Sequence, residues 1–146
     1  MSKREDIASN LVTVIGNISS PITIKKITRQ TFPIDELSEQ QYPAVIIQTS
    51  EETRDDSELG SAAKTRHATV NFLILGFVKG SETNIDTARN ELITAIETAV
   101  ESDITRNGNA LDTQVVQVET DEGSLFPVGG IRMTIRVMYE YQSGTP

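Results

Sequence analysis

The chain has 146 residues, the size of one ordinary domain, and its 37% hydrophobic share is enough for a core, so composition excludes a disordered chain. It has no Cys and one His, which excludes disulfides, Cys-based zinc or redox sites and a metal centre built on several imidazoles. The net charge of −8 opposes attraction to a phosphate backbone or an anionic membrane, and it is unevenly spread: residues 1–50 balance five Lys/Arg against five Asp/Glu, so the acidic excess belongs to the rest.

Residues 3–18 predict an amphipathic helix, because Ile7, Leu11, Val14, Ile15 and Ile18 recur at steps of three and four and share one stripe. Gly16, Asn17 and the run Ser19-Ser20-Pro21 end it. Ile22 to Thr31 is rich in β-branched residues and reads as an edge strand guarded by Lys25 and Lys26. Pro33 breaks that pattern, and Asp35 to Gln41 reads as a loop or one helical turn. Ala44 to Thr49 opens with four apolar residues in a row, the pattern of a strand covered on both faces. Residues 51–64 show no apolar period and predict a long, mobile, acidic loop.

Arg66 to Val78 predicts a long strand with Ala68, Val70, Phe72 and Ile74 on one face and His67, Thr69 and Asn71 on the other. Leu73, Leu75 and Phe77 make its far end apolar on both sides. Residues 84–102 predict a helix capped by Asn84, with Ala88, Leu92, Ala95, Ile96 and Val100 on its stripe and Arg89 mainly off it. Gln114 to Thr120 reads as a short strand with Val116 and Val118 on one face, and Ile131 to Gln142 alternates strictly as a strand. Gly129-Gly130, after Pro127, reads as a turn or a β-bulge, and residues 143–146 as a flexible tail. The expected fold is therefore one α+β domain over 1–146. It has a mainly antiparallel sheet of about five strands and two helices on one face, in the order α-β-β-β-α-β-β.

Catalytic chemistry is not indicated. His67 has no acid at a ligand spacing and lies on a polar strand face. Asp55, Asp56 and Glu58 lack the alternation and central glycine of a calcium loop. Asp121 and Glu122 with Arg132 and Arg136 form a carboxylate–guanidinium set, but no nucleophile accompanies them and a polar hairpin face explains all four. Gly-x-Ser-x-Gly is absent, and Gly129-Gly130 opens a strand rather than a helix, so neither a nucleophile elbow nor a phosphate cradle is expected. The expectation is no enzyme, no cofactor and no metal. The start Met-Ser-Lys-Arg-Glu-Asp is charged at once and no run approaches the ~20 apolar residues of a membrane helix, so a soluble protein made in a cytoplasm is expected. What remains informative is surface: the long acidic loop at 51–64 and the extended hairpin ending in Arg132, Arg136 and Tyr139. Guanidinium groups are enriched at interfaces and pair with carboxylates in a fixed fork. Arg132 and Arg136, with Asp55, Asp56 and Glu58 of a neighbouring copy, are the candidate interface residues.

Several stretches together resemble the tail terminator proteins of tailed bacteriophages, also called tail completion or minor tail U-like proteins. These are the opening helix with Ile7-Ala8-Ser9-Asn10-Leu11, the strand Tyr42-Pro43-Ala44-Val45-Ile46-Ile47 followed by an acidic loop, the strand His67 to Val78 leading into the helix Ile85 to Val100, and the last strand Ile131 to Tyr141. The resemblance covers nearly the whole chain and is one of element order, with no motif transferable residue by residue. It implies a structural virion protein, assembled in the host cytoplasm, that forms a hexameric ring, caps the tail tube, stops its polymerisation and meets the head–tail connector protein. In contractile tails it implies contact with the tail sheath as well. Direct sequence-specific nucleic-acid binding and membrane contact are not implied. Two other classes fit the residues: another neck or head–tail joining subunit, and a small cytoplasmic ligand-binding domain or enzyme.

Overall fold

A computed structural model of the chain describes residues 2–20, 22–32, 37–56, 65–80, 83–123, 125–142 and 144–146. Helix α1 spans Lys3–Gly16 and begins at Ser2, whose hydroxyl accepts from the Glu5 amide at 3.2 Å. Its buried residues Ile7, Ala8, Leu11 and Ile15 recur at helical spacing. Strand β1 is only Lys26–Thr28, far shorter than the run of β-branched residues predicts. The Gln30 amide donates to the Thr28 hydroxyl at 3.1 Å, a local side-chain turn that takes the chain out of the strand. Of the loop or turn expected at Asp35 to Gln41, residues 39–41 form a single 3₁₀ turn and 35–36 lie outside the described residues.

Strand β2 (Ala44–Asp56) and strand β3 (Thr65–Lys79) form a long antiparallel pair. The loop expected at 51–64 is corrected in its first part: residues 51–56 are strand, of which 52–56 stand in register with Arg66 to Val70, and residues 57–64 lie outside the described residues. An apolar period is missing at 51–56 because the two residues that stand opposite the buried Val70 and Ala68 are the polar Glu52 and Arg54. A one-residue bulge between Thr49 and Glu52 also resets the alternation there.

Helix α2 (Ile85–Glu101), strand β4 (Asp112–Thr120) and strand β5 (Val128–Gln142) complete the fold. The sheet order is β1-β2-β3-β5-β4, with β1 parallel to β2 and every other pair antiparallel. Both helices lie on one face. There Ile7, Leu11 and Ile15 of α1 and Leu92, Ile96 and Val100 of α2 share one buried cluster with Phe72, Ile74, Ile135 and Val137. Gly76 allows this approach, since a Cβ there would meet Leu92 and Ile131 side-chain carbons at 2.8 Å. Gly129 and Gly130 are not a turn or a bulge; they pair with Val78 and Phe77 inside β5. At Gly129 a Cβ would meet the Arg89 stem at 2.8 Å, so the requirement is close helix approach rather than a turn conformation.

Beyond α2, Arg106 is fully buried with φ +50°, and its guanidinium donates to the carbonyls of Val100 and Asp103. It satisfies the helix C-terminus with a cation, where the dipole favours positive charge. The chain's last residues fold back, with the Thr145 amide donating to the Gln142 carbonyl at 2.9 Å.

Candidate functional site

Side chains alternate across β5, so Arg132, Thr134, Arg136 and Met138 occupy the face away from the helices. Arg132 stands in register between Leu75 of β3 and Glu119 of β4. Arg136 stands between Asn71 and Gln114, and its guanidinium donates to the Gln114 side-chain oxygen at 2.8 Å. Both arginines are exposed, and neither forms an ion pair with another described residue. Asp55 lies in register with His67, whose Nε2 is 3.4 Å from the Glu140 carboxylate. Asp56 is at the register position opposite Arg66, and Glu58 lies outside the described residues. Within one chain the structure does not bring Asp55 or the Asp56 register position to the two arginines: Arg136 pairs at Asn71, Asp55 at His67 and Asp56 at Arg66, further along β3.

The other end of this outer face is apolar. Ile46, Phe77 and Val128 are buried there with Phe32, Tyr42 and Leu75 against them. The Phe32 and Phe77 rings meet edge-on at 6.3 Å, and the Lys26 ammonium lies 4.5 Å from the Phe32 ring centre. This bears out the apolar second face read for the end of β3.

On the helix face a polar hub escapes the sequence reading. The bulge in β2 turns Glu52 inward, opposite Val70. Its carboxylate accepts from the Tyr139 hydroxyl at 2.7 Å, from Arg54 at 2.7 Å and from Arg4 at 3.0 Å. Burial would raise the Glu52 carboxyl, yet the three donors outweigh it and hold the group below the usual carboxylate value. Burial and the bond to Glu52 push Tyr139 up to about 12. The hub ties the start of α1 to the outer half of the hairpin. Alternation without a bulge puts Glu51 and Thr53 inside, which is why the pattern does not reveal Glu52.

Arg89 is likewise on the buried side rather than off it. It donates to Asp121 at 2.9 Å and to Asp86 at 3.0 Å, with only 9% and 7% of the Arg89 and Asp121 side chains exposed. Asp121 in turn accepts from the Leu125 amide at 3.0 Å and fixes the β4–β5 connection. Asp121 therefore serves Arg89 and the turn, not Arg132 or Arg136. Among the described residues no group of three His, Asp or Glu side chains is arranged to hold a metal ion. No described helix is long and apolar enough to cross a membrane.

The sheet thus carries helices on one side and a mixed, arginine-bearing face on the other. No curated protein matches the chain. Among solved structures, a chain from "Virion of native gene transfer agent (GTA) particle" is similar at 12% identity. The match covers 96% of this chain and 92% of that one, with a TM-score of 0.50, and it shows a shared fold. A family model described as Bacteriophage Tail Tube Terminator Protein matches residues 1–145. The chain belongs to the bacteriophage tail tube terminator family and is a structural protein of the virion tail.

Proposed function

We propose that copies of this chain close into a hexameric ring that caps the tail tube, ends its polymerisation and joins it to the head–tail connector protein. The observation that carries the reading is family membership along the whole chain. The outer face supports it, because a face that mixes Arg132, Arg136, Leu73, Leu75 and Met138 is suited to being covered by another subunit. Arg132 and Arg136 face Asp55, Asp56 and Glu58 of the adjacent copy. This contact joins different patches and so closes into a ring when the rotation allows. The tail tube protein meets one side of the ring and the connector the other; in a contractile tail the sheath is a further partner. Negative-stain microscopy of the purified protein and of intact virions tests this. Sixfold rings are expected, and their absence from both preparations overturns it.

A further inference from the structure

The two edges of the sheet are unlike in charge and in protection. Edge strand β1 and its flanks, residues 22–32, carry Lys25, Lys26 and Arg29 and no acid. Edge strand β4 and its flanks, residues 101–123, carry six acids against the single Arg106, which is buried and turned to the α2 carbonyls. Lysines on an edge strand oppose self-pairing of like edges. The β4 edge has no lysine and no proline. Its first half is covered: Thr113 donates to the Ile104 carbonyl at 2.8 Å and the Val115 amide to Glu101 at 3.2 Å. A bulge at Val116 ends the cover, and every residue from Val116 to Thr120 is exposed. Val116 and Val118 are 44% and 41% exposed. Val116 is the extra residue of the bulge, while Val118 pairs with Met133. Such an edge, open and apolar, is a template for another strand.

We propose that the β4 edge of one copy takes the β1 edge of the next, so that the sheet continues from subunit to subunit. The pairing rests on the ring reading above and names its contact. Strand directions agree with it. β1 runs with β2, β2 against β3, β3 against β5 and β5 against β4, so β1 and β4 run in opposite senses. A neighbour related by rotation therefore offers β1 antiparallel to β4, the more stable pairing. Charge selects β1 over the uncovered remainder of β2, because that stretch carries Glu51, Glu52, Asp55 and Asp56 against Arg54 and would repel the acidic β4. The pairing also brings the β5–β4 side of one copy, with its arginines, toward the β1–β2 side of the next, with Asp55 and Asp56.

The cysteine-free chain permits a direct test. A Lys25→Cys, Val118→Cys double variant is treated with a short bismaleimide, both as purified protein and in virions, beside the two single variants. A ladder of covalent oligomers from the double variant, and monomers from each single variant, is expected. A dimer from Val118→Cys alone means pairing of like edges and overturns the proposal. Sixfold rings in the microscope without a ladder overturn edge pairing and leave the ring; no rings in either preparation remove the ring reading as well. In a second arm, Lys25→Glu with Lys26→Glu is expected to abolish ring formation, and adding Gln117→Lys with Glu119→Lys, both on the open half of β4, to restore it. Failure of the reversed pair to assemble, with each variant folded by circular dichroism, counts against β1 as the partner of β4.

Discussion

Glu52 illustrates how one carboxylate can set the pH response of the fold. In the folded chain its donors hold it below the ordinary 4.5, so the unfolded chain binds the proton more readily as the pH falls. Its contribution is complete above that ordinary value and is lost as the pH drops through the lower, folded one. The difference in melting temperature between the parent and Glu52→Gln should therefore be largest near neutrality and shrink below about pH 4.5. Tyr139→Phe removes one bond to the same carboxylate and should cost about 1.5–3 kcal/mol in urea unfolding. Arg89 presents a second kind of case, a buried charge paired with a buried carboxylate. Arg89→Ala leaves Asp121 without its cation and should lower stability by roughly 3–5 kcal/mol, while the Arg89→Ala, Asp121→Ala pair should lose less than the sum of the single changes.

At the scale of elements, the stripe of α2 against the sheet is the main fastening. Leu92 and Ile96 are fully buried, so Leu92→Ala or Ile96→Ala should cost ~2–5 kcal/mol by denaturant titration; a loss under roughly 0.5 kcal/mol would be that of a surface residue. This stripe was legible in the sequence because helical and strand periods are strong where one face is apolar and the other is not. The same holds for Ala68 to Ile74 on β3 and for Ile131 to Tyr141 on β5. The reading failed where local order depends on a partner. The sheet bonds that extend β2 to Asp56 come from β3, and Gly129 is explained only by a helix distant in sequence. Arg89 looked like a solvent residue because its carboxylate partner Asp121 lies on another element. The candidate interface was legible only in part. The alternation places Arg132 and Arg136 on one face, but no pattern in a single chain states what covers that face.

For the whole molecule, one layer of helices on one side of one sheet leaves two kinds of surface, and the ring proposed above would use the uncovered one. The Arg132→Glu, Arg136→Glu variant should keep the parent's unfolding midpoint, since exposed substitutions change stability within about 0.5 kcal/mol. It should nevertheless fail to close rings or to cap tubes, giving tails of irregular length in micrographs. Tails of normal length, built with a folded double variant, would remove these arginines from the interface.

The bulge in β2 has a consequence for tolerance to deletion. Across it, three steps of β2, from Thr49 to Glu52, face two steps of β3, from Phe72 to Val70. Removing Ser50 would take out the surplus residue and leave Glu52 opposite Val70 and Arg54 opposite Ala68. Removing Thr53 instead would advance every later residue by one place, turning Arg54 outward and Asp55 toward the tyrosines. The chain thus carries one spare position inside a long strand, where a missing residue ordinarily inverts all that follows. A Ser50 deletion should fold and keep the Tyr139–Glu52 bond, seen as a tyrosine that titrates well above 10; a Thr53 deletion should lose stability sharply in the same melting experiment.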